Sequence, residues 1–383
     1  MAIDALLFFR MRALHTKLTV LFACFAVFEA LPGVAAQSTA GPPSAEIEQL
    51  LTRAEEAGAS GVLFIGNGDE WMIQTGFGSA SCTGDDPVTP DHVFMIGSIT
   101  KELTRVLAFV LEERKILSLD DTLAKHLENV RGPVAQVTLH QLLNHTGGLP
   151  DLIDVAGRPV PYSVSYDYEP VSREQLIERA STVSLLSEPG SEERYSNLGY
   201  QLLAAAFEVA TKRPFPELLR EHLFLPAEME ATDFWFPDSE QRAFADGCLP
   251  GGARWGNPIE DAMWDQSGPS SGPSWNLMGA GGLLSTAESL AMFFVAIAGD
   301  TFFKSEEQAQ RYKDSRLIFS QSRQQYVMAP AGSNGIFNAV GFLAVRDRFV
   351  AILLTNRADH PAEGGLFREL MELFPPKTSP LQD

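Results

Sequence analysis

The sequence predicts an α/β chain of the α+β type: one antiparallel sheet built from both chain ends, flanked by helices, with a mainly helical subdomain inserted between its halves. Three observations point there. Short apolar runs bounded by turn residues lie at 61–76 and again at 337–355, whereas residues 98 to about 230 carry helical spacing. The last of these runs, Phe349–Thr355, is continuously apolar, as in a strand buried on both faces. No internal repeat divides the chain, so the simplest closure joins both ends in one sheet.

In chain order, a Ser/Gly/Pro-rich linker at 37–44 leads into a helix from Ser44 to Gly58, with Ile47, Leu50, Leu51 and Ala54 on one face. Strands Gly61–Ile65 and Trp71–Gly76 follow, joined by the turn residues Gly66-Asn67-Gly68. The clearest helix runs from Ile99 to about Arg114, where Leu103, Val106, Leu107 and Val110 predict one buried stripe. Another covers Leu198 to about Thr211. A Gly/Pro/Ser-rich stretch at 246–282 holds Trp255, Trp264 and Trp275 and reads as a pocket wall. Strands Phe337–Ala344 and Phe349–Thr355 flank Val345-Arg346-Asp347-Arg348, and a closing helix spans about Gly364 to Leu373. The sheet part is thus about 45–97 and 280–383, and the helical insert about 98–279.

Composition narrows the function classes. The 383 residues are 45% hydrophobic and 20% charged, which excludes a disordered tail or a fibrous repeat. A formal charge of −20 disfavours polyanionic partners, so neither nucleic acid nor an anionic membrane surface is expected. The N-terminus has the layout of a secretory signal: Arg10, Arg12 and Lys17, the apolar run Leu18–Phe28, then small residues ending at Ala36. Cleavage there, with translation starting at Met1 or Met11, predicts an exported, periplasmic or extracellular protein whose mature part is 37–383. That run is short for a membrane span, and an uncleaved anchor is the alternative. Cys82 and Cys248 are the two cysteines left after cleavage; in an exported chain they either pair or remain free thiols. No Cys/His cluster has zinc spacing, and His140 and His145 are five apart, off one helical face, so neither metal nor cofactor is expected.

The most informative stretch is Phe94-Met95-Ile96-Gly97-Ser98-Ile99-Thr100-Lys101. Ser98 falls where a helix should begin, and Lys101, three residues on, projects from the same face. A serine hydroxyl needs a base within hydrogen-bond reach to act as a nucleophile, and a buried lysine at i+3 provides one. The helix N-terminus adds backbone N–H groups for a developing oxyanion. Taken alone, the pair reads equally as a helix-capping serine followed by a surface lysine.

Three further segments accompany it: Thr138-Leu139-His140-Gln141-Leu142-Leu143-Asn144-His145-Thr146-Gly147-Gly148-Leu149-Pro150, then Tyr195-Ser196-Asn197, then Gly279-Ala280-Gly281-Gly282-Leu283-Leu284-Ser285-Thr286. In that order they resemble the serine β-lactamase and penicillin-binding-protein superfamily, in its class C β-lactamase-like branch, over roughly residues 45–375. That branch also holds D,D-peptidases, D-aminopeptidases and esterases. The resemblance implies a β-lactamase/transpeptidase-like fold and a covalent acyl-enzyme on Ser98, with Lys101 and Tyr195 moving protons and Asn197 orienting substrate and Lys101.

The family's third motif, a Lys or His followed by Thr or Ser and then Gly, departs from type here. The matching stretch is Gly332-Ser333-Asn334-Gly335-Ile336, with Ser333 where the cation should stand. The resemblance implies that Ser333 and Asn334 donate hydrogen bonds to the substrate and that the Ile336 N–H joins that of Ser98 as an oxyanion hole. Loss of the cation disfavours β-lactam or D-Ala-D-Ala substrates, which carry a carboxylate, and favours a small-molecule ester or a D-amino-acid-type amide. A non-catalytic binding protein and a true β-lactamase or D,D-carboxypeptidase are the alternatives. Gly268-Pro269-Ser270-Ser271-Gly272 matches the G-x-S-x-G pattern without the strand and helix that pattern needs, and is read as chance.

Overall fold

The computed structural model describes residues 44–68, 70–150, 171–234, 236, 241–249, 252–256, 275–358 and 362–374. The signal-like segment, the G-x-S-x-G match and Trp264 lie outside the described residues.

Helix α1 (Ser44–Glu56) leads into strands β1 (Gly61–Gly66) and β2 (Trp71–Phe77). After β3 (Phe94–Met95) and a 3₁₀ turn over Gly97–Ile99 come helices α2 (Thr100–Glu113), α3 (Leu123–His126), α4 (Leu139–Leu143), α5 (Arg173–Ala180), α6 (Asn197–Thr211) and α7 (Phe215–Leu219). Short strands β4 (Thr232–Asp233), β5 (Gly247–Cys248), β6 (Arg254–Gly256) and β7 (Leu284–Ser285) precede α8 (Ala287–Ala298) and α9 (Glu306–Arg316). Strands β8 (Ile318–Ser320), β9 (Gln325–Met328), β10 (Ala331–Ser333), β11 (Asn338–Ala344) and β12 (Phe349–Thr355) and helix α10 (Ala362–Glu372) complete the order.

Both chain ends do meet in one antiparallel sheet, ordered β2-β1-β12-β11-β9-β8, with β10 paired to β11. Strands β1 and β12 run from Gly61 opposite Thr355 to Gly66 opposite Val350. The period of two explains why they carry so few polar residues. Leu63, Ile65, Ala351 and Leu353 pack with Ile47, Leu50 and Leu51 of α1 and Leu366, Phe367 and Leu370 of α10. Val62, Phe64, Val350, Ile352 and Leu354 face the opposite way, into the larger core that holds Phe293 and Phe294 of α8. Both faces are covered, so alternate side chains are all apolar.

Helix α2 is buried more completely than a single stripe requires: every residue from Thr100 to Leu111 is buried, including Lys101, Glu102, Thr104 and Arg105. The periodicity saw only the apolar part of this burial. The polar part is held by specific partners. Arg316 of α9 grips Glu102 with two hydrogen bonds of 2.6 and 2.7 Å. Burial alone would raise the Glu102 carboxyl, but the Arg316 charge and hydrogen bonds outweigh it and hold Glu102 below its ordinary range. Arg105 donates to the Asn144 side chain at 3.1 Å, to the Leu143 carbonyl, and to the Tyr200 hydroxyl at 3.2 Å.

Cys82 and Cys248 form a disulfide with Cα atoms 5.5 Å apart, which settles the open choice between paired and free thiols. It ties the segment after β2 to β5, where the Cys248 N–H also donates to the Asn356 carbonyl just past β12 at 2.9 Å. Of the three tryptophans in the 246–282 stretch, Trp275 is buried in the large core.

Candidate active site

Three elements, two contiguous and one 97 residues further on, converge on Ser98. The 3₁₀ turn presents the serine, α2 carries Lys101 one turn later, and the start of α6 brings Tyr195 and Asn197. Ser98 is not a helix cap, since neither the 3₁₀ turn nor α2 has a side-chain cap hydrogen bond. Its Oγ instead lies 2.7 Å from the Tyr195 hydroxyl and accepts from Lys101 Nζ at 3.1 Å. Lys101 Nζ also donates to Asn197 Oδ1 at 2.7 Å and to the Ala280 carbonyl at 2.6 Å. Three acceptors thus surround a group whose ammonium form carries three donors. The capping-serine-plus-surface-lysine alternative is excluded by this arrangement.

Local chemistry explains why each group is placed so. Ser196 caps α6, its Oγ accepting the Gly199 N–H at 3.3 Å, so Tyr195 sits just outside the helix and Asn197 just inside it. The chain preceding α6 is anchored by the Gly190 N–H, which donates to the Thr146 carbonyl at 2.7 Å. On the other side, β3 pairs with β7, and the Ile96 N–H donates to the Leu283 carbonyl at 3.1 Å. That pairing lays residues 279–283 along α2. Thr104 donates to the Gly279 carbonyl at 2.7 Å, and Thr100 Oγ1 accepts the Leu283 N–H at 3.3 Å. Gly279 has φ +74, and a Cβ there would come 2.7 Å from the Tyr200 carbonyl oxygen, so glycine is required.

His145 completes this wall. Its ring stacks on Tyr195 with centroids 4.6 Å apart and lies 5.1 Å from the Tyr200 ring. Lys101 Nζ stands 4.8 Å from the Tyr195 centroid and 5.6 Å from that of Tyr200. Burial first, and then the positive charges of Lys101, Arg105 and Arg316, lower His145 to about 3, so its ring is neutral at pH 7.

The third-motif residues meet the site differently. Strand β10 runs against the nucleophile turn: a Cβ on Gly332 would lie 2.1 Å from the Ile96 carbonyl oxygen and 2.7 Å from Ser98 N. Beyond it the chain turns on itself. Asn334 is buried, and its Oδ1 accepts the Ile336 N–H at 2.9 Å and the Phe337 N–H at 2.8 Å. Its Nδ2 donates to Met95 Sδ at 3.2 Å. Ser333 Oγ donates to Asn338 Oδ1 and accepts the Gly335 N–H at 2.9 Å. The Ile336 N–H is therefore not the one beside Ser98, because a short polar side chain two residues upstream captures it. The amide lying against the nucleophile turn is that of Ser333, 2.7 Å from where a Cβ on Gly97 would stand. For the same reason Ser333 and Asn334 point their hydrogen bonds into the chain instead of outward. Gly335, at φ +91, supplies the left-handed turn that allows this closure.

Reading by spacing missed the Ala280 carbonyl, the His145 stack and the Glu102–Arg316 pair. The Gly279–Gly282 run pointed to the first, while the other two depend on contacts that no local pattern encodes. Among the described residues, no group of three or more His, Cys, Asp or Glu is arranged to hold a metal ion. No described helix is long and apolar enough to cross a membrane.

Comparison with known proteins bears on the family and the fold. A family model described as Beta-lactamase matches residues 45–371. Penicillin-binding protein 4* of Bacillus subtilis is 29% identical over 184 residues, covering 47% of this chain and 39% of that protein. The chain spans 33% to 55% of the length of the first four curated relatives it matches. Among solved structures, an octameric penicillin-binding protein homologue from Pyrococcus abyssi superposes with a TM-score of 0.72 at 21% identity, covering 87% of this chain and 78% of the other. A D-amino acid amidase from Ochrobactrum anthropi gives 0.67 at 20% identity, covering 86% and 98%. At these identities the structures speak for the fold.

Proposed function

The chain belongs to the beta-lactamase family, within the serine β-lactamase and penicillin-binding-protein superfamily, and from that premise we propose that it is an exported serine hydrolase acting on small esters or D-amino-acid-type amides. The observation that carries this reading is the position of Ser98 Oγ, 2.7 Å from the Tyr195 hydroxyl and 3.1 Å from Lys101 Nζ. Ser98 Oγ bonds to the substrate carbonyl carbon while its proton passes into the Tyr195–Lys101 pair. The tetrahedral intermediate collapses, and the leaving alkoxide or amide takes that proton and departs as the alcohol or amine. Water then attacks the acyl-enzyme, giving up its proton to the same pair. Ser98 leaves with that proton as its hydroxyl, and the carboxylic acid is released. Asn197, bonded to Lys101, holds that pair in register. Export is supported by Arg10, Arg12 and Lys17 ahead of the apolar Leu18–Phe28 run.

Small esters, which need carry no carboxylate, are favoured because Ser333 offers no cation to hold one. The amidase that shares the fold keeps D-amino-acid amides within the proposed range. A second reading, a weakly active or non-catalytic binding protein, is favoured by one observation: the Ile336 N–H is spent on Asn334 Oδ1. Removing one oxyanion donor from an acyl-transfer site costs ~10²–10³-fold in rate. The two readings separate on a panel of p-nitrophenyl acetate, a D-alanine p-nitroanilide and a chromogenic cephalosporin, assayed with the wild type and Ser98→Ala. We expect ester turnover dependent on Ser98, slower amide turnover and little or no cephalosporin hydrolysis. Turnover of none of the three, or turnover that survives Ser98→Ala, overturns the hydrolase reading.

A further inference from the structure

We propose that His145 is a positioning residue for Tyr195, locking the tyrosine from three directions so that its hydroxyl stays on Ser98. The hydrolase reading enters only through the activity arm of the test below.

The lock is unusual in that one residue holds both neighbours of Tyr195. The Arg194 N–H donates to the His145 carbonyl at 2.6 Å. The Ser196 N–H donates to His145 Nδ1 at 3.3 Å. Between those two bonds the imidazole lies against the Tyr195 ring, 4.6 Å between centroids and 29° between planes. Backbone before Tyr195, backbone after it and the ring itself are therefore fixed by one side chain and its own peptide. Tyr195 is 39% exposed and precedes the α6 cap, so these contacts act on a residue outside the helix itself.

His145 is in turn rigidly placed. Its N–H donates to the Leu142 carbonyl at 3.2 Å at the end of α4, and its backbone takes φ +56. A non-glycine residue in the left-handed region is held there by its surroundings. The opposite edge of the imidazole lies near Tyr200, whose hydroxyl donates to the Leu143 carbonyl at 2.8 Å. Because Nδ1 is the acceptor, the proton of the neutral ring is assigned to Nε2. A positive imidazole would lose that acceptor and stand beside Lys101, so the lock works only with a neutral ring. A displacement of about 1 Å in a reacting group costs ~10²-fold in rate, which is the size of effect expected when the lock is removed.

The test uses the full chain with two variants. His145→Ala removes ring and acceptor, and His145→Phe keeps a ring for stacking but removes the acceptor. The first readout is the rate of covalent labelling by a fluorophosphonate, counted per folded molecule. We expect a ~10²-fold loss for His145→Ala and a smaller loss for His145→Phe, with kcat for p-nitrophenyl acetate falling and KM unchanged. The second readout needs no activity: the ¹⁹F resonance of 3-fluorotyrosine at position 195, assigned with Tyr195→Phe. It should shift and broaden in His145→Ala and keep part of its stacked shift in His145→Phe. Wild-type labelling rates in both variants overturn the proposal, as does an unmoved Tyr195 resonance. If the wild type itself takes no label, the hydrolase reading fails, and the resonance alone decides the role of His145. If His145→Ala does not fold, His145→Phe carries both readouts.

Discussion

The two walls that meet at Ser98 are built on opposite principles. On one wall, Lys101 is shared among Ser98, Asn197 and Ala280, so the 3₁₀ turn, α2, α6 and the 279–283 segment all end on a single ammonium. On the other, Ser333, Asn334, Gly335, Ile336 and Asn338 exchange hydrogen bonds with one another. The first wall directs its polar groups at the reacting oxygen, while the second spends most of its own on closing its turn, with Asn334 Nδ2 reaching Met95. On the proposed reading, the first wall serves to activate the serine and the second offers no cation to an anionic substrate. The difference teaches that two segments flanking one serine can spend their polar groups in opposite ways, one on a shared ammonium and the other on closing a turn.

Breaking the first wall should have the largest effect. Lys101→Met removes the shared donor and should slow p-nitrophenyl acetate turnover by ~10²–10⁴-fold, the usual range for a proton-transfer group. It also takes the Lys101 donor from the buried Ala280 carbonyl, at about 1–3 kcal/mol, so the thermal midpoint should fall as well. Near-wild-type turnover in the folded variant would mean that the shared ammonium is structural.

Opening the second wall should change specificity by less. Ser333→Lys places a cation where the chain has none, and a charge-assisted hydrogen bond contributes about 1.5–3 kcal/mol. Cephalosporin hydrolysis should rise roughly 10-fold or more, measured as kcat/KM, with ester turnover little changed. An unchanged cephalosporin rate would remove the missing cation as the reason for the expected ester preference.

The smallest effect sharpens the comparison through pH. His145 is at about 3 in the folded chain against an ordinary 6.5, lowered by burial and by Lys101, Arg105 and Arg316. Above pH 6.5 it is neutral in both folded and unfolded chains and contributes no pH dependence. Between pH 6.5 and 3 the unfolded chain binds a proton that the folded chain excludes, so stability falls with falling pH. The slope approaches ~1.4 kcal/mol per pH unit. His145→Phe lacks this term, so the wild type's stability advantage should shrink by about 2 kcal/mol between pH 7 and pH 5, read from urea midpoints. A constant difference would place the imidazole in a better-solvated setting than its contacts indicate.

Much of the fold was legible from spacing alone. Ile47, Leu50, Leu51 and Ala54 mark α1, and the uninterrupted apolar run at 349–355 marks a strand covered on both faces. These patterns are local, and burial imposes them directly. The candidate site was legible in its members rather than in its bonds. Ser98 and Lys101 sit one helical turn apart, but Lys101 reaches Asn197 and Ala280 across separations of 96 and 179 residues. Only the family pattern brings such groups together on paper. The Ile336 amide shows where pattern transfer stops. The Gly at 335 kept its place in the motif, but an Asn at 334 brings an acceptor that captures the following N–H groups. His145 was visible as a member of the Thr138–Pro150 segment but its contacts were not, because a histidine after a short helix has no periodicity and these contacts reach residues 194–196.

The central claim is that Ser98 is an activated nucleophile. The most direct measurement is peptide mapping by mass spectrometry after treating the full chain with a fluorophosphonate. The account predicts a single phosphonyl adduct on Ser98, formed with loss of fluoride, and none on Ser98→Ala. An unlabelled wild type, or an adduct on any other serine that persists in Ser98→Ala, would contradict it.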